Sequence, residues 1–299
     1  MNTTPWPDFT HHREKLRDVV IGWSMGGSGP PLLLLHGFPQ TRALWSVIAP
    51  HLARDFTVIC PDLRGYGESD KPRDVAAYSF REMARDQVAL LDHLGLKTCA
   101  VAGHDRGGRV AHRLLLDHAE RITRASVMDI IPTHTLLNAL TPDVAATYYH
   151  WFFLAQPEPL PEKLIGSDPD GYYATCLAGW GKAGLDQFHP AQLAEYRAAW
   201  NDPDTIRGMC NDYRAALAQD IKQDAADLDK RVICPLQVLY GAQGVMAENF
   251  DFAQCWSEKA TDIHPTPMPG GHFFIDTHPE ETLVALRQFF LLQDIKNSA

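Results

Sequence analysis

The sequence predicts an α/β chain with a mostly parallel, doubly wound sheet and an inserted helical cap. Three observations lead there: short unbroken apolar runs that end at polar turn residues, capped helix signals between those runs, and a long stretch in the middle of the chain without a comparable strand signal.

Leu32-Leu33-Leu34-Leu35 runs into His36-Gly37, and Phe56-Thr57-Val58-Ile59-Cys60 runs into Pro61-Asp62. Thr98-Cys99-Ala100-Val101-Ala102 and Ala125-Ser126-Val127-Met128 repeat the pattern, the last ending at Asp129. Such runs suit strands covered on both faces. Between the second and third lies Ser79-Phe80-Arg81-Glu82, a capping-box pattern, followed by Met83, Val88, Leu91 and Leu94 at helical spacing and by Gly95 as a stop. After Ile131-Pro132 the next strand signal is Leu236-Gln237-Val238-Leu239-Tyr240. The stretch between is rich in aromatics and helix formers, with a proline-punctuated link at 156–161. The predicted division is therefore a sheet domain from 1–132 and 229–299, with a helical cap at 133–228. A second capping-box pattern, Thr277-His278-Pro279-Glu280, marks the start of a closing helix.

Composition narrows the function classes. With 299 residues and 45% hydrophobic content the chain can bury one large core. A net charge of −10 argues against a general nucleic-acid or membrane-surface binder, because both favour a basic face. The six cysteines show neither a C-x-x-C pair nor metal-ligand spacing, so they read as reduced thiols and no metal is expected. The polar start MNTTPWPDFTHHREK lacks the apolar centre of a secretory signal, and no apolar run approaches the ~18 residues of a spanning helix, so a cytoplasmic location is expected.

The chemistry is concentrated at Gly103-His104-Asp105-Arg106-Gly107, which has the G-x-nucleophile-x-G form of a sharp strand-to-helix turn. Here the presented residue is an aspartate. A carboxylate is already ionised at neutral pH, so it can displace a leaving group at a saturated carbon without a base and form an ester. Hydrolysis of that ester needs a base, and His272 in Pro269-Gly270-Gly271-His272-Phe273-Phe274 is placed for it, between a strand-like and a helix-like segment. Asp129 follows the fourth strand, one helix-plus-strand unit after Asp105. The order Asp105, Asp129, His272 is the nucleophile, acid, histidine order of hydrolases with this topology. In His36-Gly37-Phe38-Pro39 the Phe38 N–H, together with the N–H of Arg106, is expected to stabilise the oxyanion of ester hydrolysis.

Arg106 and Arg109 sit three apart at the start of the predicted helix, so both guanidinium groups can reach one side near its N-terminus. Two forked cations beside a nucleophile predict a small anionic substrate, held through a carboxylate.

The stretches LLLLHGFPQ, GHDRGGRV, MDIIPT, YYHWFFLAQPEPLPEKLIGSDPD, CNDYRA and PGGHFF together resemble fluoroacetate dehalogenases, a haloacetate-dehalogenase branch of the α/β-hydrolase fold. The most specific feature is the arginine after the nucleophile, where related haloalkane dehalogenases and many epoxide hydrolases carry tryptophan. The resemblance implies Asp105 as nucleophile, His272 as base, Asp129 as its partner, and Arg106 with Arg109 as the carboxylate clamp. It also implies a halide pocket of His150, Trp151 and Tyr213, whose neutral N–H and O–H groups can solvate a departing halide, a homodimer, and no cofactor. Tyr149 could line the substrate entrance, and Tyr148, Phe152 and Phe153 read as packing residues. His104 and His112 read as structural.

Two other readings stand beside this one. An epoxide hydrolase uses the same elbow aspartate but needs acidic groups in the cap, for which Tyr149 and Tyr213 are available; the paired arginines fit an anion better. A binding protein without turnover fits poorly, because the candidate catalytic set is complete.

Overall fold

The computed structural model describes residues 6–181 and 183–292. Its centre is an eight-stranded sheet: β1 (Thr10–Leu16), β2 (Val19–Gly26), β3 (Pro31–Leu35), β4 (Thr57–Pro61), β5 (Cys99–His104), β6 (Ile122–Met128), β7 (Leu236–Gly241) and β8 (Ile263–Met268), in the order β1-β2-β4-β3-β5-β6-β7-β8. From β4 to β8 all neighbours are parallel, while β1 and β2 form an antiparallel hairpin that joins β4 at one edge.

The apolar runs behave as a two-sided strand must. Side chains alternate across the pleat, so Leu33 and Leu35 enter the core on one face and Leu32 and Leu34 the core on the other. Ile59 and Val101 share the first core, and Val58, Cys60 and Ala102 the second. Three strands did not follow from apolar runs, among them β2, whose run is broken by Gly22, Ser24 and Gly26. β1 is almost wholly exposed and polar, and β8 carries Pro265 and Pro267, which its edge position tolerates because a missing N–H there costs no ladder bond.

Helix α1 (Phe80–His93) connects β4 to β5, and its predicted capping box is only half made. Ser79 Oγ accepts from the Glu82 N–H at 3.3 Å, but the Glu82 carboxylate pairs with Arg17 and Arg85. A different donor of the first turn, the Phe80 N–H, is met from a distant segment by Asp220, whose Oδ1 accepts it at 2.9 Å. The second predicted box also differs. The closing helix, Pro279–Leu291, has His278 at its N-cap, and Thr277 ends the preceding short helix, its hydroxyl within 2.9 Å of His278 Nδ1. Proline at the first helical position supplies the start without a side-chain cap.

Helix α2 (Arg106–Asp117) leaves β5 so tightly that Gly107 has no room for a side chain. A Cβ there would stand 2.4 Å from the His36 carbonyl oxygen and 2.5 Å from that of Leu35. The obstacle is backbone of β3 and its following turn, which cannot rotate away. Gly107→Ala is therefore expected to lower stability by more than about 2 kcal/mol, read as a shifted urea midpoint at unchanged slope; an unaltered midpoint would refute the packing account.

Between β6 and β7 the described residues form helices and no strand. Of these, α3 (His150–Leu154), α4 (Pro190–Trp200) and α5 (Pro203–Ala215) matter most below. Trp151, Tyr196 and Tyr213 belong to the same continuous apolar cluster as Leu33 and Val127 of the sheet. Polar ties reinforce that joint core: Gln192 donates to the carbonyls of Ala43 and Leu44, and the Tyr196 hydroxyl donates to Asp276 Oδ1 at 2.9 Å. All six cysteines are free, four of them buried. Among the described residues, no helix is long and apolar enough to cross a membrane.

Candidate active site

The C-terminal ends of β3, β5, β6 and β8 lie around the point where the chain runs to β4 on one side of β3 and to β5 on the other, the usual ligand position in such sheets. Asp105 stands between β5 and α2 with φ +46° and ψ −114°, a conformation costly for a residue with a Cβ. It is held from both sides. Its N–H donates to the Met128 carbonyl at 3.1 Å, and its own carbonyl accepts from the Arg109 N–H at 3.0 Å. The Phe38 N–H donates to Asp105 Oδ2 at 3.0 Å, which leaves Oδ1 for other work. The second expected donor, the Arg106 N–H, makes no hydrogen bond to this carboxylate in the structure.

Asp129 also has a positive φ, +50°, directly after β6. Its Oδ1 accepts from the Gly241 N–H at 2.9 Å, and its Oδ2 accepts from His272 Nδ1 at 2.6 Å. With its proton on Nδ1, neutral His272 carries its lone pair on Nε2. Burial opposes a charge on His272, yet the hydrogen bond and charge of Asp129, with a contribution from Asp105, outweigh it and raise the pKa above the usual histidine value. Burial alone would raise that of Asp105; at the low pH where it titrates His272 and His104 are protonated, and with Arg106 and Arg109 they bring it down to about 2. The elbow carboxylate is thus ionised across the physiological range.

The loop carrying His272 is held by a residue that sequence reasoning left as structural. His104 Nε2 donates to the His272 carbonyl at 2.8 Å, and Nδ1 lies 3.2 Å from the Gln40 side-chain amide, which in turn bonds Asp276 at 2.6 Å. Burial and nearby His272 lower the His104 pKa to about 4, so it supports the loop as a neutral ring. Asp276 is pushed up to about 7, burial outweighing its hydrogen bonds from Tyr196 and Gln40. Gln40 and Asp276 had no signal in the sequence, since their partners come from distant segments. His112 is structural, its ring edge-on to Trp256 at 5.0 Å.

Both arginines are buried beside Asp105, and neither is wholly free. Arg109 Nη1 donates to the Ile131 carbonyl and to Thr133 Oγ1, both at 3.0 Å, while its Nε is buried without a partner. Arg106 donates through Nε to Asp212 Oδ2 at 2.9 Å and through Nη2 to Oδ1, and its Nη1 is the buried, unpartnered group. Most of the Arg106 fork is thus occupied by an acid from the helical segment. Burial and the charge of Arg106 lower Arg109 to about 10, which still leaves it protonated.

The aromatic residues named from the resemblance come together around these groups. The His150 ring stacks on Phe38 with centroids 5.9 Å apart and meets Tyr213 edge-on at 5.4 Å; Trp151 meets Tyr213 edge-on at 5.4 Å. Burial keeps His150 neutral and the Tyr213 hydroxyl protonated, and that hydroxyl is buried without a partner. Tyr148 is buried with its ring edge-on to His272 at 6.4 Å, whereas Tyr149 lies 44% exposed on the surface of the segment. No group of three His, Cys, Asp or Glu residues suited to a metal ion occurs among the described residues.

An elbow aspartate, a histidine on a late loop and an acid after the intervening strand, all at strand ends of one mostly parallel sheet, define a class. The chain belongs to the α/β-hydrolase family, whose model, described as alpha/beta hydrolase fold, matches residues 30–279. It is 48% identical over 275 residues to Fluoroacetate dehalogenase from Burkholderia sp, an alignment covering 91% of this chain and 90% of that one, so the resemblance seen in the motifs extends along the chain. It is also 32% identical to Soluble epoxide hydrolase from Corynebacterium sp. strain C12, over 95% of this chain and 98% of the relative. Among solved structures, a candidate α/β hydrolase from Nostoc sp PCC 7120 superposes with a TM-score of 0.93 at 43% identity, covering 95% of this chain and 99% of that one.

Proposed function

We propose that this protein hydrolyses haloacetates, fluoroacetate among them, to glycolate and halide through an ester on Asp105. The observation that carries this reading is the pair of buried guanidinium groups, each with an unpartnered N–H, beside an ionised elbow carboxylate. Buried donors are nearly always satisfied, and two such N–H groups beside Asp105 suit the carboxylate of a small anion as their acceptor. The dehalogenase relative supports the same substrate class.

In this mechanism Arg106 Nη1 and Arg109 hold the substrate carboxylate. Asp105 Oδ1 attacks the α-carbon from behind the carbon–halogen bond, and the bonding pair leaves with the halide toward His150, Trp151 and Tyr213. Oδ2, already held by the Phe38 N–H, becomes the ester carbonyl oxygen. His272 then takes a proton from water as the water attacks that carbonyl carbon, and Phe38 N–H stabilises the oxyanion that forms on Oδ2. Asp129 stabilises the imidazolium produced. Attack at a saturated carbon inverts a chiral 2-haloacid. The segment 133–228 serves as the cap that supplies the halide donors and excludes water.

The epoxide-hydrolase reading is favoured by the Corynebacterium relative. It needs two acidic hydroxyls facing the ring oxygen, and Tyr149, one of the two candidates, is 44% exposed. The deciding experiment is fluoride and chloride release from fluoroacetate and chloroacetate by the purified protein. Release of either halide is the expected result; turnover of neutral epoxides with no halide release would overturn the reading. Arg109→Gln is expected to raise KM for chloroacetate roughly 10- to 100-fold, the worth of one charge-assisted contact. An unchanged KM would remove Arg109 from the binding site.

A further inference from the structure

Arg106 enters the site already committed to a partner. The Asp212 side chain and its own are fully buried, Nη2 donates also to the Asp212 backbone carbonyl at 3.1 Å, and Asp212 Oδ2 takes a further hydrogen bond from the Tyr66 hydroxyl at 2.7 Å. The guanidinium carbon lies over the rings of Tyr213, Phe80 and Trp151 at 4.2, 4.6 and 5.0 Å. This pair joins α2 of the sheet unit to α5 of the helical segment, one residue before Tyr213. A buried ion pair adds little net stability over apolar packing, because desolvation consumes most of the attraction. Its value here is directional.

We infer that Asp212 is a positioning residue for Arg106: it keeps the guanidinium off the neighbouring Asp105 carboxylate and leaves one N–H group, Nη1, for the substrate. The inference rests on the reading of Asp105 as nucleophile and Arg106 as a carboxylate ligand. Without Asp212, two buried carboxylates remain near Arg106, that of Asp220, whose Oδ1 already accepts the Phe80 N–H, and that of Asp105, the residue next to it in sequence, and a turn toward either takes the fork away from the substrate. A nucleophile hydrogen-bonded by a fork donor attacks more slowly, and a fork turned to the nucleophile no longer meets the substrate. Hydrolysis of the ester, by contrast, uses His272 and water on an Asp105 that no longer bears a charge. Asp212 therefore acts on the first chemical step and not on the second.

The test follows both steps in single turnover with chloroacetate, as chloride release for ester formation and glycolate release for its hydrolysis, in the wild type, Asp212→Asn and Tyr66→Phe. Asp212→Asn is expected to slow ester formation about 10- to 100-fold and to raise KM, with ester hydrolysis unchanged within about twofold. Tyr66→Phe keeps the Arg106–Asp212 pair, protects the test should the asparagine variant not fold, and is expected to show a smaller selective loss in the same step. Full-rate ester formation in the variants, or equal losses in both steps, overturns the positioning role. A wild type that releases no chloride overturns instead the functional reading on which it rests.

Discussion

Asp105→Asn is expected to abolish halide release, by at least about 10⁴-fold, while the protein still binds the haloacetate anion. The amide has no charge to push into the carbon–halogen bond, and nothing else at the strand ends replaces it as a nucleophile. Its oxygen can still accept the Phe38 N–H, so the elbow keeps that contact. Binding should even tighten, because the substrate carboxylate no longer shares Arg106 and Arg109 with a second anion. Stability moves the other way. A carboxylate whose folded pKa is depressed to about 2 favours the native state above its unfolded value near 4, and that contribution fades as pH falls through the folded value. The variant lacks it at neutral pH. Halide release with an ion-selective electrode, beside calorimetric binding, measures both halves; residual turnover within tenfold of wild type would remove Asp105 from the nucleophile's role.

His272→Gln is expected to separate the two chemical steps. The first needs only the ionised Asp105, so one equivalent of halide should be released per site in a burst. The second has lost its base, and the peptide bearing Asp105 should retain a carboxymethyl group, detectable by mass spectrometry after proteolysis. In the wild type the same division sets the pH dependence. His272 must be neutral to act, and its raised pKa makes base catalysis fall as pH drops through that value. Ester formation should be flat over the same range. Esterification of Asp105 also removes one of the charges that raise His272, so the base becomes easier to deprotonate once its task begins. A variant that releases halide continuously and carries no adduct would falsify the assignment of His272.

What the sequence revealed depended on how local the physics was. Leu32–Leu35 and Ala125–Met128 announced themselves because a strand covered on both faces needs an unbroken apolar run. β1 did not, since Thr10–Leu16 is solvent-facing and its pairing with β2 is set by backbone bonds that any residue can make. The elbow at Asp105 was legible from its glycines, which the approach of α2 to β3 requires. The Ser79 cap was half legible: its short-range bond is local, but the partner of the Phe80 N–H is Asp220, far along the chain. The same limit hid Asp212, Gln40 and Asp276. An aspartate in a helix carries no mark of the arginine it will meet, and only the juxtaposition of α2 and α5 shows that Arg106 already has an acid beside it.

The shared core has a consequence for traffic. Asp105 and His272 are almost fully enclosed, and lifting the helical segment as a body would break the Arg106–Asp212 pair, the Tyr196–Asp276 bond and the Gln192 contacts at once. Reagents two carbons in size do not require that. For the proposed substrate, passage is expected to rest on rotamer exchange and slight helix displacement, motions of nanoseconds to microseconds that would admit bulkier acids less readily. The door and the wall are then the same side chains, and size selection comes from how often they part as much as from the shape they enclose.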